Sequence, residues 1–140
     1  MSFSGGKDSL CLAQVVYSLI ESGEIDATRL TVLFIDEEAI FPCIEDTVKT
    51  WRKKFLLAGA KFDWWCVEVR HFNCFNELTA DESFICWDRY KEDVWVRRPP
   101  PFALRTHPLL RPREDNYQAF VPRITQGGIM MTGVRAAESV

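Results

Sequence analysis

Little in this chain advertises a charged or lipid partner. Seventeen Lys and Arg against twenty Asp and Glu leave a net charge of −3, so no global basic field marks it for nucleic acid. No apolar run approaches the ~20 residues of a membrane span. The N-terminus lacks the basic and apolar regions of a signal peptide. A cytoplasmic protein with no membrane partner is the expectation. The five cysteines, Cys11, Cys43, Cys66, Cys74 and Cys86, are odd in number and include no Cys-x-x-Cys pair. That speaks against a disulfide framework, a zinc knuckle or an iron–sulfur cluster. Cys11 and Cys66 are expected as buried, reduced thiols. Histidine is scarce, and neither His71 nor His107 stands out as a general base. The apolar fraction is 47 %, with five Trp and ten Phe; over 140 residues that is the composition of one globular domain.

The chain is organised around Ser4-Gly5-Gly6-Lys7-Asp8-Ser9, which follows a short extended lead-in and precedes an apolar-periodic run. This reads as a strand end, a phosphate-cradling turn and a helix start. Gly5 and Gly6 lack the Cβ atoms that keep backbone away from an anion. Successive amides form a nest, and the helix N-terminus adds partial positive charge. Lys7 supplies a mobile cation, Ser4 and Ser9 hydroxyl donors. The alternative is a glycine turn that merely caps a helix. The spacing is too short for a Walker-type loop.

Periodicity predicts a helix over 8–22, a strand over 29–35, a helix over 42–57 and a strand over 61–69. This is the βαβαβ rhythm of a doubly wound α/β domain with a parallel sheet flanked by helices. Asp36, Glu37 and Glu38 stand at the end of the 29–35 strand, where open α/β sheets bind ligands. Residues 71–127 break the rhythm as an irregular Pro- and Arg-rich insertion. Residues 82–95 are expected as a short helix or hairpin, and 117–126 as a helix or connector. Arg97, Arg98, Arg105, Arg111 and Arg113, with His107, precede any acid up to Glu114. They could pair with phosphates, touch a nucleic-acid backbone, or form a solvated loop packed through Phe102, Leu104, Leu109 and Leu110. Residues 128–132 are expected as a last buried strand, leading into Gly133-Val134-Arg135-Ala136-Ala137-Glu138-Ser139.

SGGKDS resembles the PP-loop of the N-type ATP pyrophosphatases and the PAPS reductases. GVRAAES resembles the second signature of the PAPS-reductase family. The Cys86-Trp87-Asp88-Arg89 group and the run from Arg97 to Pro101 look like a phage-associated PAPS-reductase-like subgroup, which includes proteins described as phage-linked coactivators of immunoglobulin-binding genes. The resemblance implies an adenine nucleotide α-hydrolase-like fold over 1–140. It implies an adenine nucleotide, ATP or else PAPS or APS, held by Ser4, Gly5, Gly6, Lys7, Asp8, Ser9, Asp36, Gly133 and Arg135. Lys7 and Arg135 would act in catalysis by offsetting phosphate charge. Asp8 and Asp36 are candidates for Mg2+, and Asp36 for a ribose contact, weighed against simple support of the next helix's N-terminus.

The favoured reaction is ATP cleavage between the α- and β-phosphates with release of pyrophosphate. Sulfonucleotide reduction is the alternative, although the chain lacks the Glu-Cys-Gly motif of those reductases. A non-catalytic nucleotide-binding regulator of phage origin is another. Only residues 1–3 precede the loop, where related domains have a full central strand, and the chain stops as the helix after GVRAAES should begin. Both ends therefore read as cut, with the sheet completed by more of the same protein, a second copy or a partner chain.

Overall fold

The chain turns helical directly after Gly6. The computed structural model describes residues 1–72 and 83–134, and α1 spans Lys7–Glu21. Its buried stripe is Ser9, Ala13 and Val16, the spacing of one helix face. Cys11 lies off that stripe and is exposed, which corrects the expectation of a buried thiol. A 3₁₀ turn over Ala27–Arg29 follows. Asp26 caps it by accepting from the Thr28 N–H at 3.0 Å. That turn takes up Arg29, so strand β1 spans Thr31–Ile35 and starts later than expected. Val32, Leu33 and Phe34 are all buried, as in a strand covered on both faces. Helix α2 spans Pro42–Leu57, with the bounds the periodicity gave. Pro42 sits at the first helical position, where a missing N–H costs nothing. Strand β2, Lys61–Trp65, pairs with β1, its Lys61 N–H donating to the Leu30 C=O at 2.9 Å. The strands run parallel, with α2 as their crossover.

Residues 1–3 add a strand stub. Ser2 bridges Leu33 in parallel, the Phe3 N–H donates to the Leu33 C=O at 2.9 Å, and the Leu33 N–H donates to the Met1 C=O at 2.8 Å. On its other side Ser2 donates to the Met131 C=O at 2.8 Å. The expected last strand over 128–132 does not form, and Ile129 is 94 % exposed. The stub turns only the backbone groups of Ser2 outward, so its neighbour receives one bond rather than a ladder. Phe3, Tyr17, Trp51, Phe55 and Phe62 form a ring cluster with centroids 5.8–6.3 Å apart. It packs α1 and α2 onto β2 and the stub. The edge-on pairs among them, Phe3–Phe62, Tyr17–Trp51 and Tyr17–Phe55, contribute about 0.5–1.5 kcal/mol each beyond their buried area.

The chain divides into two compact units. One comprises Met1–Ile35, Ile40–Trp64 and Ile129–Val140; the other comprises Asp36–Ala39 and Trp65–Gly128. The second takes in most of the stretch expected as an irregular insertion, and it has regular structure of its own. The expected 61–69 strand is broken there. After Trp65 the Cys66 N–H turns to the Leu104 C=O at 3.0 Å, and the Arg113 N–H donates to the Glu68 C=O at 2.9 Å. A new strand, β3 (Val69–Phe72), then pairs antiparallel with β4 (Ser83–Cys86). A kinked 3₁₀ segment, Arg89–Val94, is capped by Asp88. Helix α3, Tyr117–Ile124, is capped by Asn116. Among the described residues no helix is long and apolar enough to cross a membrane.

Candidate functional site

The glycine turn lies in the first unit, between the strand stub and α1. Gly5 has φ +76°, and a Cβ there would meet the Val48 and Ile44 methyls at 2.9 and 3.0 Å. A side chain is thus opposed twice, by the left-handed backbone and by α2. Gly6 is the N-cap of α1 and brings no side-chain cap, so the first-turn amides point out of an uncapped helix end. Two hydroxyls brace the turn. Ser9 Oγ accepts from the Ser4 N–H at 3.2 Å and from Ser4 Oγ at 3.1 Å, and donates to the Gly6 C=O at 2.9 Å. Ser4 Oγ accepts from the Gly6 N–H at 3.3 Å. Ser9, read in the sequence as a donor for phosphate, is buried and spends its proton inside the turn. Ser4 is exposed. Lys7 Nζ is largely exposed and 3.9 Å from the Asp8 carboxylate.

Gly133 meets this turn. A Cβ on it would lie 2.7 Å from the Asp8 carbonyl oxygen and 3.0 Å from the Ser9 nitrogen. The start of the second signature therefore packs backbone to backbone on the start of α1. Arg135 lies outside the described residues.

Asp36 belongs to the second unit, where it is fully buried. Its carboxylate pairs with Arg97 and accepts from the Glu38 N–H at 3.0 Å and from Cys66 Sγ at 3.5 Å. Its carbonyl accepts from Trp87 Nε1 at 2.6 Å. The donors around this carboxylate are those of an internal ion pair. Among the described residues no group of three or more His, Cys, Asp and Glu side chains gathers as a metal site.

The arginine-rich segment is spent largely on the chain's own acids. Arg97 pairs with Asp36, Arg113 with Asp88 at 2.5 Å, Arg111 with Asp115 at 3.1 Å, and Arg98 with Glu92 at 3.7 Å. Arg105 lies over the Trp95 ring, 5.0 Å from its centroid. Of the four apolar residues expected to pack this loop, Leu110 alone is buried. Of the buried acids, Glu68 and Asp115 were not singled out in the sequence, and Asp88 stood out only as part of the Cys86–Arg89 group. The available signal was the count of arginines needing partners in an acidic chain. His107 Nδ1 accepts from the Leu109 N–H at 3.1 Å, a turn-capping role.

Charge placement shifts several groups. The hydrogen bond from Arg123, with further bonds from Arg111, outweighs burial and holds the Asp115 carboxyl down at about 2. Burial raises the Cys66 thiol, with the Asp36 charge adding to it. Burial likewise pushes Cys86 up to about 12. Neither buried thiol is poised as a thiolate. Because the folded-state value of Asp115 is depressed, its stabilisation is complete above the unfolded value near pH 4. It is lost as pH falls toward 2, and amounts to about 2 kcal/mol. Asp115→Asn is expected to flatten stability across pH 4 to 2 relative to the parent, measured by urea titration at several pH values. An unchanged slope contradicts the assignment.

No protein-family model and no solved structure matches the chain. It is similar to the uncharacterized protein YbdN of Escherichia coli (strain K12), 30 % identical over 149 aligned residues that take in 99 % of this chain and 34 % of that protein. The chain thus spans about a third of the length of this curated relative.

Proposed function

We propose that residues 4–9 hold the phosphate end of an adenine nucleotide, and that ATP is cleaved there between its α- and β-phosphates. The products are an adenylylated acceptor and pyrophosphate. The observation that carries this reading is the packing of Gly133 on the Asp8 and Ser9 backbone, beside a helix end without a side-chain cap. It joins the two strings that resemble the PP-loop and its partner signature. The parallel β1–α2–β2 unit and the inner position of residues 1–3 support the finer fold, a doubly wound adenine nucleotide α-hydrolase-like domain.

In this reading the first-turn amides bind the leaving pyrophosphate, joined by the exposed Ser4 hydroxyl when its proton turns from Ser9 Oγ to a phosphate oxygen. Ser9 positions Ser4, and Lys7 and Arg135 offset the charge developing on the leaving group. Asp8, a partly exposed carboxylate in the first turn of α1, suits Mg2+, which needs few protein ligands when phosphates supply the rest. When bound, the ion would neutralise phosphate charge. Asp36, enclosed by Arg97, the Glu38 amide and Cys66, does not suit it. The buried Cys66 and Cys86 thiols are not suited to the nucleophile that sulfonucleotide reduction needs.

Incubation of the chain with magnesium and labelled ATP, water taking the acceptor's place at the α-phosphorus, is expected to yield AMP and pyrophosphate; ADP and phosphate would overturn the reading. Lys7→Ala is expected to weaken ATP binding about tenfold, the worth of one charge-assisted contact. Calorimetric titration measures it, and unchanged affinity would remove the loop from the site.

A further inference from the structure

The β3–β4 pair has an open side. Val69 pairs with Cys86, Arg70 with Ile85, His71 with Phe84, and Phe72 with Ser83. The Arg70 N–H donates to the Asp115 C=O at 2.7 Å, so it points away from β4. Arg70 and Ile85 are therefore a non-hydrogen-bonded pair, and so, two residues on, are Phe72 and Ser83. The N–H and C=O groups of Ser83 and Ile85 consequently face away from β3. The next outward amide, that of Trp87, donates to Glu38 Oε2 at 2.8 Å. Glu38 thus closes the end of the edge, while among the described residues Ser83 and Ile85 have no backbone partner on that side.

A cleft of about 470 Å³ takes in this edge, its lining shared by Ser83, Phe84 and Ile85 with Glu37, Glu38 and Val94 to Val96. Val94 and Val96 are 69 % and 68 % exposed and Phe84 45 %, an apolar rim beside unpaired strand backbone. Such edges take up extended peptides, with main-chain bonds giving affinity and flanking side chains giving selectivity. The charge of the lining selects further. Arg113 is neutralised by Asp88 at 2.5 Å, which leaves the Glu37 and Glu38 carboxylates against Lys91.

We propose that the outer edge of β4 is a docking site for an extended peptide with alternating apolar and basic side chains, which adds a third strand to the β3–β4 sheet. Its backbone bonds Ser83 and Ile85, its apolar side chains meet Val94, Val96 and Phe84, and a basic side chain faces Glu37.

The test is amide hydrogen exchange on the 15N-labelled 140-residue chain with the probe Ac-Val-Lys-Val-Lys-Val-Lys-NH2, compared with Ac-Val-Glu-Val-Glu-Val-Glu-NH2. The basic peptide is expected to slow exchange at Ser83 and Ile85 about tenfold or more, and the acidic one to leave it unchanged. Ile85→Pro removes an outward donor without breaking a bond to β3 and is expected to abolish the protection at Ser83. Glu37→Lys, in the lining of the same cleft, is expected to weaken it. No slowing with the basic peptide, equal slowing with both, or protection arising from self-association without peptide would each overturn the proposal.

Discussion

Arg97→Ala is expected to lower the stability of the second unit by about 3–5 kcal/mol, the cost of leaving one partner of a buried ion pair uncompensated. The Asp36 side chain is wholly inaccessible and that of Arg97 only 16 % exposed. The guanidinium also donates to the Glu38 C=O at 3.0 Å and lies 5.2 Å from the centre of the Trp87 ring. One substitution thus removes a charge partner, a backbone bond and a ring contact. Urea denaturation followed by near-ultraviolet circular dichroism of the tryptophans measures the loss. The double variant Asp36→Asn, Arg97→Met removes both charges and is expected to recover much of it. A single-variant loss below about 1 kcal/mol, the worth of an exposed pair, would show that the charge is not held in the interior.

The second large effect is expected at Gly133. Its nearest neighbours are the carbonyl and amide atoms of Asp8 and Ser9, which cannot move aside as a side-chain tip can. Gly133→Ala must therefore separate residue 133 from the start of α1. If pyrophosphate release is the reaction, its rate is expected to fall on the order of a hundredfold, since about 1 Å of misplacement at a positioning element costs that much. Gly128→Ala is the control, because its Cβ would meet the Thr125 oxygen at 3.4 Å. Equal rates for the two variants would detach the second signature from the chemistry.

Local periodicity carried the first unit. The apolar stripe of α2 and its N-terminal proline gave both helix ends, and the run of Val32, Leu33 and Phe34 gave β1. The turn was readable because two glycines and a lysine at a helix start restrict what the backbone can do. The second unit was less readable because distant pairings decide it. The run from Lys61 to Val69 is apolar enough for one long strand, yet Leu104 and Glu68 divide it. Glu68 is drawn inward by Arg89, which bonds it through its amide at 2.9 Å and Nε at 2.6 Å. The arginines looked like ligands for external phosphate because their acidic partners are remote in sequence, as Arg97 is from Asp36. Asp36 itself was visible as a carboxylate at a strand end, but its guanidinium partner was not.

The bond from Ser2 to Met131 has a consequence for biosynthesis. The stub formed by residues 1–3 can dock on β1 early, but its second neighbour emerges from the ribosome only after the whole stretch up to Gly128 has been made. The second unit's residues are all available before the first unit can be sealed. Translation order therefore favours completing the arginine-laced unit first and shutting the glycine turn last, with closure of the long intervening loop slowing that final event.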